Sequence, residues 1–208
     1  MDGARFANAV AALNAGDETV SPADLTWRAG VDVLSFGATK NGALGAEAII
    51  LFRTDLAEEM SFRHKRAGQL ASKMRYISAQ LAAYIEDGLW LRLANHANRM
   101  CAQLAEGLGA IDGIRLDVFG GANELFVELP GATVLALRQE NFEFYDWPET
   151  VAAVVGKRSP IRLVTRHDTS IAEVKGMIAA VKRLAEAFVE LLCQLVRILQ
   201  RIFVVPAW

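Results

Sequence analysis

The sequence predicts an α/β fold. Helical and strand-like stretches alternate along the chain, which is the pattern of layered α/β domains. Two short apolar runs, Val31–Ser35 and Ala46–Phe52, are bounded by glycines and read as buried strands. From Ile114 the period of the apolar residues shortens from that of helices to that of strands, which adds a second, α+β part.

The elements follow in order. Residues 4–15 (ARFANAVAALNA) read as a short helix ended near Gly16. Ser21-Pro22-Ala23-Asp24 reads as a helix start, with Ser21 as N-cap and Pro22 in the first helical position; that helix stops at Gly30. The strand Val31–Ser35 leads into FGATKNGALG, a loop with three glycines in ten residues. After the strand Ala46–Phe52, a long helical region runs from Asp55 to Tyr84, with a possible interruption at Gly68. Asp87–Leu108 is a further helix, with Leu89, Leu93, His96, Met100 and Leu104 near one face.

In the second part, Ile114–Val118 and Glu124–Leu129 read as strands separated by Gly120-Gly121. Thr133–Gln139 is a short helix, and Phe142–Trp147 and Pro160–Thr165 are strands. A last helix begins at Ile171, where Ser170 and Glu173 have the spacing of a capping box. The predicted division is 1–85, 86–187 and an apolar helical tail over 188–208. Leading into and along that tail, Val181, Leu184, Phe188, Leu191, Leu195, Ile198 and Ile202 recur in alternating steps of three and four. The tail reads equally as an extended helix that packs on a domain or partner, or as frameshifted sequence.

Composition narrows the function. The chain has 208 residues, 22 Lys and Arg against 24 Asp and Glu, and a net charge of −2. So even a balance argues against a bulk electrostatic nucleic-acid binder. The two cysteines, Cys101 and Cys193, do not make a disulfide scaffold and suit a reducing compartment. No basic start or continuous apolar run resembles a signal peptide, and charges interrupt the apolar end from Phe188 to Val205. A cytoplasmic location and no membrane partner are expected. The apolar fraction of 53% exceeds the usual share, so a broad apolar patch and a tendency to aggregate are expected of the chain alone.

Chemistry concentrates in two places. Lys40 stands in a glycine-rich turn after a buried strand, and open α/β sheets bind ligands at the carboxyl ends of strands. A partly desolvated lysine there can lose its proton and form a Schiff base; the competing reading is a solvated loop lysine. Asp2-Gly3-Ala4-Arg5 places an acid and a cation at a strand-to-helix turn, where Gly3 would let the backbone approach a ligand. The competing reading there is a capping aspartate and a surface arginine.

The blocks MDGARFANA, SFGATKNG, RHKRAGQLASKMRYISAQ, DGLWLRLANHANRM, ANELFVELP, FYDWPE and IRLVTRHDT, in that order, closely resemble the low-specificity L-threonine aldolases. These belong to the β-eliminating lyase group of pyridoxal-phosphate enzymes with the aspartate-aminotransferase fold (fold type I). The resemblance covers roughly residues 1–185. It implies the C-terminal part of the large-domain sheet followed by the small C-terminal α+β domain.

The resemblance also implies roles. Lys40 would form the Schiff base with pyridoxal 5'-phosphate. Asp2 would pair with the ring nitrogen and keep it protonated, and Arg5 would lie on the side of the phenolic oxygen. Lys65 and Arg75 match basic positions near the cofactor phosphate or a neighbouring subunit's site. Arg162 matches the arginine that grips the substrate carboxylate, although a strand-end surface arginine would look the same. His64, His96 and His167 receive no role, His96 and Cys101 being read as structural.

The implied reaction is cleavage of threonine or allo-threonine to glycine and acetaldehyde, in a homo-oligomer and without a metal. Family members carry a large N-terminal part before the DGAR motif, so a truncated or split gene, or a misplaced start, is expected. The alternatives are a non-catalytic remnant, half of a split enzyme, or another β-eliminating lyase of the same fold.

Overall fold

The computed structural model describes residues 1–16, 19–118, 120–148 and 153–203. They form two compact units. The first holds residues 1–101, 121–123 and 165–169, and the second holds 102–120, 124–164 and 170–208.

The first unit is built on a three-stranded sheet: β1 (Asp2–Gly3), β2 (Val33–Gly37) and β3 (Glu47–Leu51), in the order β1-β2-β3. β1 runs parallel to β2, with Asp2 opposite Ser35 and Gly3 opposite Phe36. β3 runs antiparallel to β2. Helix α1 (Phe6–Leu13) follows β1 directly. Its inward residues Phe6 and Val10 pack with Leu34, Phe36, Ala38 and Tyr84 into a core. Phe6 stacks on Trp90 with ring centroids 6.2 Å apart, and Phe36 meets both rings edge-on. Such arrangements place ring edges against ring faces and add to the gain from burial.

Several boundaries differ from the sequence reading for local reasons. α1 ends at Leu13 because the Asn14 side chain donates to the Val10 and Val20 carbonyls and accepts from the Val20 N–H. That side chain supplies the stop that was assigned to Gly16. The expected helix after Ser21 is instead a set of turns with a 3-10 turn at Trp27–Ala29. There the Ser21 hydroxyl donates to Asp24 and the Thr26 hydroxyl donates to the Pro22 carbonyl, so side chains compete for the backbone.

The long helical region divides into α2 (Ala57–Arg66) and α3 (Met74–Ile85), with Gly68 at φ +71° between them. α4 (Leu89–Gly109) starts after Asp87 and Gly88, both at positive φ, which break the helix from α3. Its early residues lie in the first unit, where Asn98 and Asn8 form a buried pair: Asn8 Nδ2 donates to Asn98 Oδ1, and Asn98 Nδ2 to the Asn8 carbonyl.

The second unit carries a four-stranded antiparallel sheet in the order β4-β5-β7-β6. The strands are β4 (Arg115–Val118), β5 (Glu124–Pro130), β6 (Tyr145–Asp146) and β7 (Arg158–Val164), with α5 (Gly131–Gln139) after β5. Inward and outward residues alternate strictly on β5 and β7, so Leu125, Val127, Leu129, Ile161 and Leu163 line one buried face. β6 is shorter than the predicted Phe142–Trp147 strand. Its two residues are the ones in register with β7.

α6 (Ile171–Phe203) closes the unit, with Val174, Met177 and Val181 buried. Gly107 of α4 lets α6 approach closely, since a Cβ there would meet the Ile178 side chain at 2.3 Å. The capping box is present: Ser170 N–H donates to the Glu173 carboxylate and Glu173 N–H to the Ser170 hydroxyl. Residues 188–203 continue the same helix, with Leu191 and Val196 exposed. The side chains of Leu195, Ile198 and Ile202 in the expected apolar stripe, the Cys193 side chain, and residues 204–208 lie outside what is described. Among the described residues no helix is long and apolar enough to cross a membrane.

Candidate active site

The parallel register of β1 and β2 brings the two sequence motifs to one place. Both strands run in the same direction, so DGAR and SFGATK leave the sheet at the same end, the carboxyl end. That end is where α/β sheets present ligand-binding groups. The packing at this end leaves no room for a side chain on Gly3. A Cβ on Gly3 would stand 2.5 Å from the Ser35 carbonyl oxygen and 2.6 Å from the Leu34 side chain. The space at Gly3 is therefore filled by β2, which corrects the expectation that it admits a ligand. A Cβ on Gly37 would likewise stand 2.8 Å from both the Ala4 Cα and the Glu47 carboxylate.

Around this junction the side chains expected from the sequence are arranged as follows. Asp2 is exposed, and its Oδ1 accepts the Ala4 N–H at 2.9 Å. Arg5 is half-buried at the residue before α1. Lys40 is exposed on a 3-10 turn, Thr39–Asn41, that begins two residues after β2. Among the described residues Lys40 has no ion-pair partner, so no carboxylate occupies its amine.

The neighbour of Lys40 is the opposite case. Asn41 is 3% exposed, and its side-chain nitrogen donates to the Tyr84 hydroxyl at 2.6 Å and to the Trp90 carbonyl at 2.9 Å. Burial raises the Tyr84 phenol above its ordinary range, the Asn41 hydrogen bond opposes this, and the Glu47 charge adds to it. The turn closes at Gly42, whose φ of +113° a side chain would not adopt readily. A Cβ there would also meet Leu93 at 3.2 Å and the His167 ring at 3.4 Å. His167 thus lies against the lysine turn, on a segment held by a hydrogen bond between His96 Nε2 and the Thr169 carbonyl.

Lys65 and Arg75 sit exposed on α2 and α3. Among the described residues no hydrogen bond or ion pair joins either to the β1–β2 end.

Arg162 lies in the second unit on β7, between β5 and β6. Its guanidinium stands 5.0 Å from the Tyr145 ring and 5.4 Å from the Trp147 ring. The Glu124 carboxylate is 3.9 Å away. Arg162 Nε is buried without a hydrogen-bond partner. Buried N–H donors are rarely left in this state, so the geometry fits an acceptor from outside the unit.

Asn41, Tyr84 and Glu47 were not singled out from the sequence, and His167 was given no role there. Their positions around Lys40 come from contacts between distant segments, which a local pattern does not carry. The one local signal was that Asn41 directly follows the lysine.

Comparison with known proteins agrees with the fold. A threonine aldolase from Leishmania major superposes with a TM-score of 0.76 at 31% identity, over 88% of this chain and 50% of that one. Serine palmitoyltransferase from Sphingomonas wittichii, 12% identical with a TM-score of 0.54, shares the fold alone. The architecture is therefore that of a pyridoxal-phosphate fold type I protein, over about half its extent. Residues 1–128 match the model of the beta-eliminating lyases, and the chain belongs to that family.

Among curated proteins, the low specificity L-threonine aldolase of Pseudomonas aeruginosa is 48% identical over 145 residues. That match takes in 70% of this chain and 40% of the aldolase. The aldolase of the same name from a Pseudomonas species is 43% identical over 188 residues, 90% of this chain and 50% of its own length. The chain thus spans about half the length of the relatives it matches.

Proposed function

We propose that this chain is the lysine-bearing half of a pyridoxal-phosphate-dependent aldolase that cleaves L-threonine or L-allo-threonine to glycine and acetaldehyde. The observation that carries the reading is the parallel register of Asp2 with Ser35 and Gly3 with Phe36, which sets an amine, a carboxylate and a guanidinium at one strand end. The donor set fits the cofactor. It offers a lysine with no ion-pair partner among the described residues for an aldehyde, an acid for a ring nitrogen, and a cation for a phenolic oxygen.

When bound, pyridoxal phosphate supplies the electron sink that accepts the electron pair released as the Cα–Cβ bond breaks. The chain's own groups do the rest. Lys40 would hold the cofactor through its amine and would move protons at the reacting carbon. Asp2 keeps a proton on the ring nitrogen, because a nearby negative charge favours the protonated form. Arg5 stabilises the phenolic oxygen. Arg162 binds the substrate carboxylate with paired N–H donors, and its unpartnered Nε supports this role. Lys65 and Arg75 serve the phosphate or a neighbouring subunit's site.

On this reading residues 1–85 are the end of the cofactor domain, 86–187 the small domain and 188–208 an added helical tail. The protein works in threonine catabolism in the cytoplasm, as a homo-oligomer when full-length, with no nucleic acid or membrane partner. Because the chain matches only 40–50% of its curated relatives, a second reading remains: a half that needs a partner, or a non-catalytic remnant.

The test mixes the purified chain with pyridoxal phosphate and follows visible absorbance, with Lys40→Ala as control. Glycine and acetaldehyde are assayed from threonine in parallel. A Lys40-dependent band with both products supports the enzyme. Without a Lys40-dependent band, the chain is not by itself the cofactor-binding enzyme. A band with cleavage of other amino acids alone would identify a different lyase of this fold.

A further inference from the structure

The lysine turn is tied to the helices beneath it by two rungs. On α3, Gln80 and Tyr84 stand one helical turn apart and so face the same way. Gln80 Oε1 accepts the Leu44 N–H at 2.7 Å, and the Tyr84 hydroxyl accepts from Asn41 Nδ2 at 2.6 Å. The other hydrogen of that same amide nitrogen goes to the Trp90 carbonyl at 2.9 Å.

Asn41 therefore grips the end of α3 and the start of α4 at once. Between these points the chain turns through Asp87 at φ +50° and Gly88 at φ +68°. Both hydrogens of the Asn41 amide are used in a buried site, so releasing either one leaves an unsatisfied donor. Such a site has one favoured geometry.

We infer that Asn41, with Tyr84 and the Trp90 carbonyl, is the positioning device of the catalytic lysine: it fixes the turn carrying Lys40 to the α3–α4 junction. This rests on the reading of Lys40 as the cofactor-bearing lysine. The division of labour is between adjacent residues, Lys40 facing solvent and Asn41 locked beneath it. The benefit is directional. A long, flexible lysine side chain on a mobile loop would spread its amine over many positions, whereas a reacting group has to be held close to its productive geometry. Tyr84 is suited to the task because a neutral phenol oxygen accepts the amide hydrogen without attracting a counter-ion, and burial further favours that neutral form.

A purely structural role for Asn41 is the competing explanation, and two measurements separate them. The full chain is prepared as wild type, Asn41→Ala and Tyr84→Phe. Val134→Ala, a core truncation in α5 of the second unit, serves as a stability control. Amide hydrogen exchange is followed over residues 38–44. In parallel, lysines are labelled with pyridoxal phosphate, trapped with borohydride and located by peptide mass spectrometry across a pH series.

Tyr84→Phe and Asn41→Ala should each speed exchange in 38–44 by about tenfold, because the local opening no longer breaks these bonds. The share of label on Lys40 should fall by about fivefold, with a shifted pH profile. Val134→Ala should change neither below its unfolding transition. Exchange and labelling in Tyr84→Phe that match Val134→Ala would overturn the inference. Wild-type label spread evenly over all lysines would overturn the reading of Lys40 instead, and the exchange result would still decide whether the anchor exists.

Discussion

Gly3 and Ser35 are in such close contact across the β1–β2 pair that a Cβ on Gly3 would lie 2.5 Å from the Ser35 carbonyl oxygen. The same Cβ would lie 2.6 Å from Leu34 Cδ1. Neither neighbour is free to retreat, because Leu34 is core and Ser35 is in the ladder. Gly3→Ala should therefore cost about 1–3 kcal/mol, the usual price of overpacking. Gly16→Ala, where nothing lies within 4 Å, is the matched control. Urea denaturation compares the two. Equal midpoints for both variants would mean that the strands part without strain.

The N-terminus of α6 provides a second prediction. Ser170 and Glu173 satisfy each other's backbone N–H groups at distances of 2.6 and 3.2 Å. Ser170→Ala leaves the Glu173 N–H without its acceptor and should lower stability by about 0.5–2 kcal/mol. Thermal unfolding by circular dichroism checks this, since α6 contributes much of the helical signal. A variant as stable as wild type would show that water replaces the hydroxyl fully.

Some of this was legible in the sequence because the signal was local. The change of period from Ile114 announced Glu124–Leu129 as a strand, and Ser170 with Glu173 announced a helix start. Gly68 marked the break between α2 and α3. The glycine-rich turn identified Lys40 as a residue at a strand end. Other features were hidden because their causes are nonlocal or lie in side-chain hydrogen bonds. Asn14 ends α1 through a loop that returns at Val20. Asn41 meets Tyr84 across 43 residues, and His167 reaches Gly42 from the far end of the unit's sequence. The need for glycine at position 3 was visible, but its reason, the neighbouring strand, required the register.

Asp24 should show a distinctive acid titration. Its carboxyl is held down at about 2, first by the Ser21 hydroxyl and then by Arg28, which bonds it at 2.9 Å. A carboxyl depressed in the folded state stabilises that state above its unfolded value. The contribution disappears as pH falls through the folded value, here between about 4 and about 2. Carboxyl-carbon chemical shifts should place the Asp24 midpoint near the lower figure, and Ser21→Ala should move it upward. A midpoint at the ordinary carboxylate value in the wild-type protein would refute the assignment.

Arg162 offers the sharpest separation between charge and shape. Its planar group faces Tyr145 and Trp147, and Nε has no acceptor. Lysine keeps the charge near Glu124 but loses the planar stack and the fork of donors. Arg162→Lys should therefore lower stability by only about 0.5–1 kcal/mol, the scale of a cation–π contact. Its effect on function should be larger. In any preparation that cleaves threonine, KM should rise by about ten- to a hundredfold with a smaller change in kcat, the cost of losing charge-assisted hydrogen bonds to a carboxylate. Steady-state kinetics alongside urea denaturation separates the two effects. An unchanged KM with a large stability loss would make Arg162 a packing residue of β7 and leave the substrate carboxylate to another group.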